Sequence, residues 1–96
     1  MKYRKRPVVI EAFQMTKERR WDNADWPNWL HKAWQREPVE AGCLHCVNGG
    51  DALIINTLEG AHNVEWDDFI IQGIQGELYA CKPDIFEQTY EEYLDD

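Results

Sequence analysis

The chain contains no serine and only three cysteines. The first absence removes every mechanism built on a serine nucleophile. A small, odd number of thiols disfavours a disulfide framework and fits a reducing compartment. No apolar run approaches the roughly 18 residues of a membrane-spanning helix. The opening stretch, Met1-Lys2-Tyr3-Arg4-Lys5-Arg6, lacks the apolar centre of a signal peptide. These absences predict a cytoplasmic protein that makes no use of a membrane. Neither the phosphate-cradling loop nor the glycine-rich dinucleotide fingerprint is present.

Basic residues become scarce after residue 20. Residues 1–20 carry seven Lys and Arg against two Glu, whereas residues 21–96 carry three against sixteen Asp and Glu. The net charge of −8 repels nucleic acid and favours a basic partner. The basic cluster Lys2, Arg4, Lys5 and Arg6 is the one stretch suited to phosphate, and the excess of acid elsewhere opposes that use. A plainer account also stands: strands from the two ends pair, with opposite charges facing across them.

What the chain has is length for one domain, 1–96, and five tryptophans to fill its core. Its organising stretch is Ala52 to Lys82. Leu53-Ile54-Ile55-Asn56-Thr57 is rich in branched apolar residues and reads as a strand. Leu58-Glu59-Gly60 turns the chain, with Gly60 free to take a positive φ. His62 to Trp66 returns, with His62, Val64 and Trp66 on one face. Asp67-Asp68 is a second turn. Phe69-Ile70-Ile71-Gln72 is apolar on both faces, as in a central strand. Gly73 and Gln75-Gly76 mark the next reversal, and Leu78 to Lys82 closes a four-stranded meander.

The flanks supply cover for this sheet. Val8 to Phe13, entered through Pro7, reads as a strand. Residues 16–24 read as a loop. Trp26, Trp29, Leu30, Ala33 and Trp34 recur at helical spacing on one face, with Asp25 as cap, Pro27 in the first turn and Glu37-Pro38 as the stop. Buried, each indole contributes on the order of 3 kcal/mol. The alternative use of Trp21 or Trp26 is to line a ligand or partner pocket. Leu44 to Val47 reads as a short strand, and Gly49-Gly50-Asp51 as a turn. Pro83 to Glu87 starts a short helix, with Asp84 and Glu87 at capping-box spacing. Beyond it two courses are open: an edge strand at Thr89-Tyr90-Glu91, which is preferred, or a helix continuing to Leu94 with Phe86, Tyr90 and Tyr93 on one face. The expected fold class is α+β: a small antiparallel β-sheet or half-barrel, one amphipathic helix packed on it, and a short C-terminal helical turn.

Three stretches together resemble a family of small proteins encoded by tailed phages and prophages. They are Met1 to Gln14 (MKYRKRPVVIEAFQ), Thr57-Leu58-Glu59-Gly60, and Asp68 to Tyr90 with its GELYACKPDIFE run. The resemblance implies a source and a setting, a host cytoplasm, rather than a mechanism, because the family has no settled activity. The chain departs from the family pattern at two turns. Asp67-Asp68 stands where a Gly-Asp pair is usual, and Ala80 stands where proline is common.

Few constellations carry chemistry. Cys43-x-x-Cys46 has zinc-ligand spacing, with His45, His62 and Cys81 available to complete a set, but a second close pair is missing. The competing account makes these cysteines small core residues. Cys81 beside Lys82 is a weak candidate thiol nucleophile. Glu65, Asp67 and Asp68 form an acidic knot beside Trp66, of a kind that can do acid–base work or hold a cation, but Asp-Asp at a strand reversal is more often turn chemistry, which is the favoured reading. No catalytic, cofactor-binding or metal-binding residue is therefore assigned. The candidate ligand or partner surface comprises Trp21, Trp26, Trp66, Asp67, Asp68, Tyr79, Lys82 and Asp84. The leading expectation is a non-catalytic phage accessory protein that binds a host protein through an acidic surface. A small-ligand binder, for a nucleotide among others, is the alternative, and an enzyme using Cys81 or the acidic knot comes last. A homodimer through an exposed sheet edge is a further expectation.

Overall fold

Hydrophobic alternation in the middle of the chain produces two small sheets rather than one. A computed structural model of the protein describes residues 1–3, 9–22, 25–36, 41–47, 52–57, 59–73 and 75–92. The elements are β1 (Glu11–Gln14), α1 (Lys17–Asp22), α2 (Asn28–Trp34), β2 (Leu44–Val47), β3 (Ala52–Thr57), β4 (Gly60–Val64), β5 (Phe69–Gln72), β6 (Leu78–Cys81) and α3 (Pro83–Thr89). Strands β2-β3-β4 form one antiparallel sheet and β1-β5-β6 the other. The α+β class is as expected. The continuous four-stranded meander is not: the chain leaves one sheet at Val64 and enters the other at Phe69. A period-2 pattern records which face a residue takes, and it reads the same whether consecutive strands pair or part.

In the first sheet Leu44, Leu53, Ile55 and Val64 are buried, and Cys46 packs against them. Leu53 lies opposite both Cys46 and Val64, so this face is continuous across three strands. At the β3–β4 turn Thr57 Oγ1 accepts from the Glu59 amide and donates to the Gly60 carbonyl, and Gly60 takes φ 127°. In the second sheet β5 is central, with Ile70 and Ile71 fully buried, as its two-faced apolarity requires. Gly76, at φ 84°, closes the turn into β6.

The helices hold several departures from expectation. Residues 17–22, expected as loop, form α1. Thr16 caps it by accepting from the Arg19 amide at 3.2 Å. α1 buries no residue, so it has no apolar stripe to betray it in sequence. It is held by its arginines: Arg19 lies over the Phe13 ring, and Arg20 lies between the Trp34 and Trp21 rings. α2 starts at Asn28 and not at Trp26. Pro27 occupies the cap position, without a side-chain bond, and its carbonyl accepts from Leu30 and His31; Asp25 is not the cap. The helix ends at Trp34, with Gln35 closing it. The expected Glu37-Pro38 stop lies outside the described residues, as do Gly49-Gly50-Asp51.

β1 begins at Glu11, later than expected, with Val9 exposed before it; Pro7 and Val8 lie outside the described residues. α3 has Lys82 as its cap and no side-chain cap bond, so Asp84 and Glu87 form no capping box. It ends at Thr89. Tyr90 is extended, but no strand forms at residues 89–91, and the preferred edge strand is absent among the described residues. Tyr93 and Leu94 lie outside them.

The core gathers Phe13, Met15, Trp26, Leu30 and Ala33 onto both sheets. Trp26 is 6 % exposed. Its indole N–H donates to the Arg19 carbonyl at 2.8 Å, and its ring meets Trp34 edge-on at 5.7 Å. A second aromatic group fastens α3: Phe86 stacks on Phe69 at 3.8 Å and on Tyr90 at 5.0 Å. No helix among the described residues is long and apolar enough to cross a membrane.

Candidate functional site

β4 ends one sheet and β6 ends the other, and residues of both border a groove of about 830 Å³. Four carboxylates, Glu59, Glu65, Asp68 and Glu77, line it against two cations, Arg36 and Lys82. Both cations have partners. Arg36 Nη1 donates to the Ala41 carbonyl at 3.2 Å, and Lys82 Nζ donates to Glu65 Oε2 at 3.2 Å.

The acidic knot folds as a turn. Asp68 is 6 % exposed, and its Oδ2 accepts from the Glu65 amide at 3.0 Å. Its own amide donates to the Glu65 carbonyl, which closes a tight loop. Asp67 takes φ 76°, a conformation that aspartate tolerates better than most residues. The Asp67 amide donates to the Met15 carbonyl at 2.7 Å, and the Met15 amide donates to the Asp68 carbonyl at 2.9 Å. The turn is thereby tied to the strand end beyond β1, and the knot forms structure as well as charge.

Lys82 sits where β6 gives way to α3. Its hydrogen bond and charge pairing with Glu65, reinforced by Asp68 and Asp84, push its ammonium above the ordinary value. Lys82 and Glu65 are both largely exposed, so their pair fixes position more than it stabilises the fold. Burial pushes the Cys81 thiol up, and the nearby Asp68 and Asp84 carboxylates add to that. A raised thiol pKa gives less thiolate at neutral pH, the opposite of nucleophile activation. Tyr79, 36 % exposed, hydrogen-bonds the Tyr90 hydroxyl at 3.4 Å. Burial first, then that bond and neighbouring negative charge, push its phenol up to about 12.

Of the expected surface residues, the groove brings together Asp68, Tyr79 and Lys82. Asp84, exposed in the first turn of α3, adds its charge close by. Trp66 is half-buried against the core and Asp67 is exposed on the turn, and neither lines the groove. Trp26 is enclosed in the core and offers no surface to a ligand. Trp21 is 69 % exposed, beside Arg20 and away from the groove lining. Glu59, His62 and Glu77 complete the site without having been singled out for it. Glu59 and Glu77 stand in or beside turns and His62 in the middle of β4, opposite Ile55, and only the topology carries them to one place.

Cys43 is buried, its thiol donating to the Arg36 carbonyl at 3.4 Å, and Cys46 packs on the core. His45 faces away from that core and pairs with Asn56 Oδ1 at 3.4 Å. Among the described residues, no group of three or more His, Cys, Asp or Glu side chains is arranged to hold a metal ion. No protein-family model, curated protein or solved structure matches the chain.

Proposed function

We propose that the protein is a non-catalytic binding protein whose acidic groove receives a basic segment of a partner protein. One observation carries the reading: four carboxylates, Glu59, Glu65, Asp68 and Glu77, line the groove against two cations, Arg36 and Lys82, which leaves it with an excess of negative charge. The −8 net charge extends the same field over the surface and speeds encounter with a basic partner. The resemblance to small phage and prophage proteins supplies the setting, an accessory protein that acts on a host protein in the host cytoplasm. Affinity capture from host lysate at low and high salt tests this, with the Glu59→Gln/Glu65→Gln double variant alongside. The expected result is a basic protein held at low salt, released at high salt and weakened by the variant. Binding indifferent to both salt and variant would overturn it.

A second reading, a small-ligand binder, is favoured by the size of the groove, which lies within the roughly 300–1,000 Å³ of small-molecule sites. Its carboxylates suit a cation better than a nucleotide. A thermal-shift panel of nucleotides and polyamines separates the cases: a tight ligand raises the melting temperature, and a flat panel removes this reading.

A further inference from the structure

We infer that the occupant of the groove is an extended basic peptide segment, added as a strand along the free edge of β6. This rests on the binding reading above and specifies how the partner is held.

The first support is topological. Each sheet has three strands among the described residues, and β6 and β4 each hydrogen-bond to one neighbouring strand only. Hydrogen-bonded pairs alternate along an antiparallel ladder, and the Gly73 amide donating to the Glu77 carbonyl sets the alternation, so Leu78 and Ala80 turn their N–H and C=O away from β5.

The second support is which residues form the walls. Leu78, Tyr79 and Ala80 all border the groove, and across from them so do His62 and Asn63. Successive side chains of a strand point to opposite faces. The wall includes Leu78 and Ala80, the two residues of β6 whose backbone groups turn away from β5. The groove runs along N–H and C=O groups that a peptide backbone can complete.

The third support is the neutrality of the two strands themselves. Sheet edges in soluble proteins are ordinarily protected by lysine, proline, inward-pointing charge or a bulge. β6 reads Leu-Tyr-Ala-Cys and β4 reads Gly-Ala-His-Asn-Val, with no proline and no lysine or other formally charged residue. The charges stand at the strand ends instead: Glu59 before β4, Glu65 after it, Glu77 before β6, and Lys82 after it, paired with Glu65. An incoming strand meets neutral side chains along β6, carboxylates at three of the four strand ends, and at the fourth a lysine already paired with Glu65. That arrangement selects a segment with alternating basic side chains. Main-chain bonds supply affinity in this mode of recognition, and alternate side chains supply selectivity. The four residues of β6 offer about 13 Å of ladder at the usual rise per residue, enough for a short linear segment.

The test uses the full chain and a fluorescent eight-residue peptide of alternating valine and lysine, read by anisotropy. A valine–glutamate peptide of the same length is the charge control. Two N-methylated lysine peptides, each methylated on one alternating set of backbone amides, are the ladder controls. The lysine peptide is expected to bind roughly tenfold or more tighter than the glutamate peptide, given complementary charge at the rim. One N-methylated register should abolish binding, and the other should keep it. Glu59→Lys, an exposed turn position, should reduce the preference for lysine without lowering the melting temperature. If both N-methylated peptides bind as the parent does, strand addition is overturned while the acidic-groove reading survives. If lysine and glutamate peptides bind alike, both fall. Absence of lysine-peptide binding overturns the inference, and so does a dimer in sedimentation that the peptide fails to dissociate, since a second copy would then hold the edge.

Discussion

Two aromatic clusters brace this protein at different depths. Phe13, Trp26 and Trp34 lie under α1 and α2, with arginines covering the rings and the Trp26 N–H satisfied. Phe69, Phe86 and Tyr90 clasp α3 to its sheet by face-to-face stacking, yet α3 buries no residue. The helical parts of both clusters read alike in the sequence, Trp26 with Trp34 and Phe86 with Tyr90 each at helical spacing. The first is a core because Phe13 and Trp26 are enclosed and the Trp26 N–H is satisfied, although the Arg20 Nε buried beside Trp34 has no hydrogen-bond partner among the described residues. The second is a fastening at the surface, next to the groove, where Tyr79 joins it through the Tyr90 hydroxyl.

The contrast breaks first, and most heavily, at Trp26. Trp26→Ala should lower unfolding free energy by about 3–5 kcal/mol, measured by urea denaturation. Phe86→Ala removes a half-buried ring and should cost about 1–2 kcal/mol, with loss of α3 signal before the main transition. Equal losses at the two positions would erase the distinction between core and clasp.

That distinction also marks where the sequence was readable. β3 and β5 stood out for their runs of branched apolar residues, and β2, β4 and β6 as short segments set off by turn residues. The stripe of α2 stood out by its spacing. α1 did not, since Thr16 and two arginines hold it through backbone and ring contacts that leave no hydrophobic period. Division of the meander was equally hidden, because Asp67-Asp68 makes a turn in either arrangement. Asp68, Tyr79 and Lys82 were identifiable beside turns. Arg36, Glu59 and Glu77 join them only through the placement of the two sheets.

Two smaller effects sharpen the picture around the groove. Asp67→Gly relieves the positive φ of the turn and should raise stability by about 0.5–1 kcal/mol, seen as a higher urea midpoint. The smallest effect is a matter of pH. The folded Tyr79 phenol keeps its proton up to about 12, above the ordinary value of 10.0. The unfolded phenol ionises first, so the folded state loses stability as pH rises through that window. Tyr79→Phe should flatten this part of the melting-temperature profile relative to the parent, while at pH 7 it changes stability only by the weak hydroxyl contact it deletes.

The pairing of β1 with β5 fixes an order of assembly. β2, β3 and β4 are neighbours in sequence, so their hairpins close over short loops. β1 must wait for a strand whose residues lie far downstream, with Glu11 opposite Gln72. Folding should therefore nucleate in the first sheet and finish when the N-terminal strand docks. Substitutions in β3 would then slow folding, and those in β1 would mainly speed unfolding, a partition that stopped-flow kinetics reads directly.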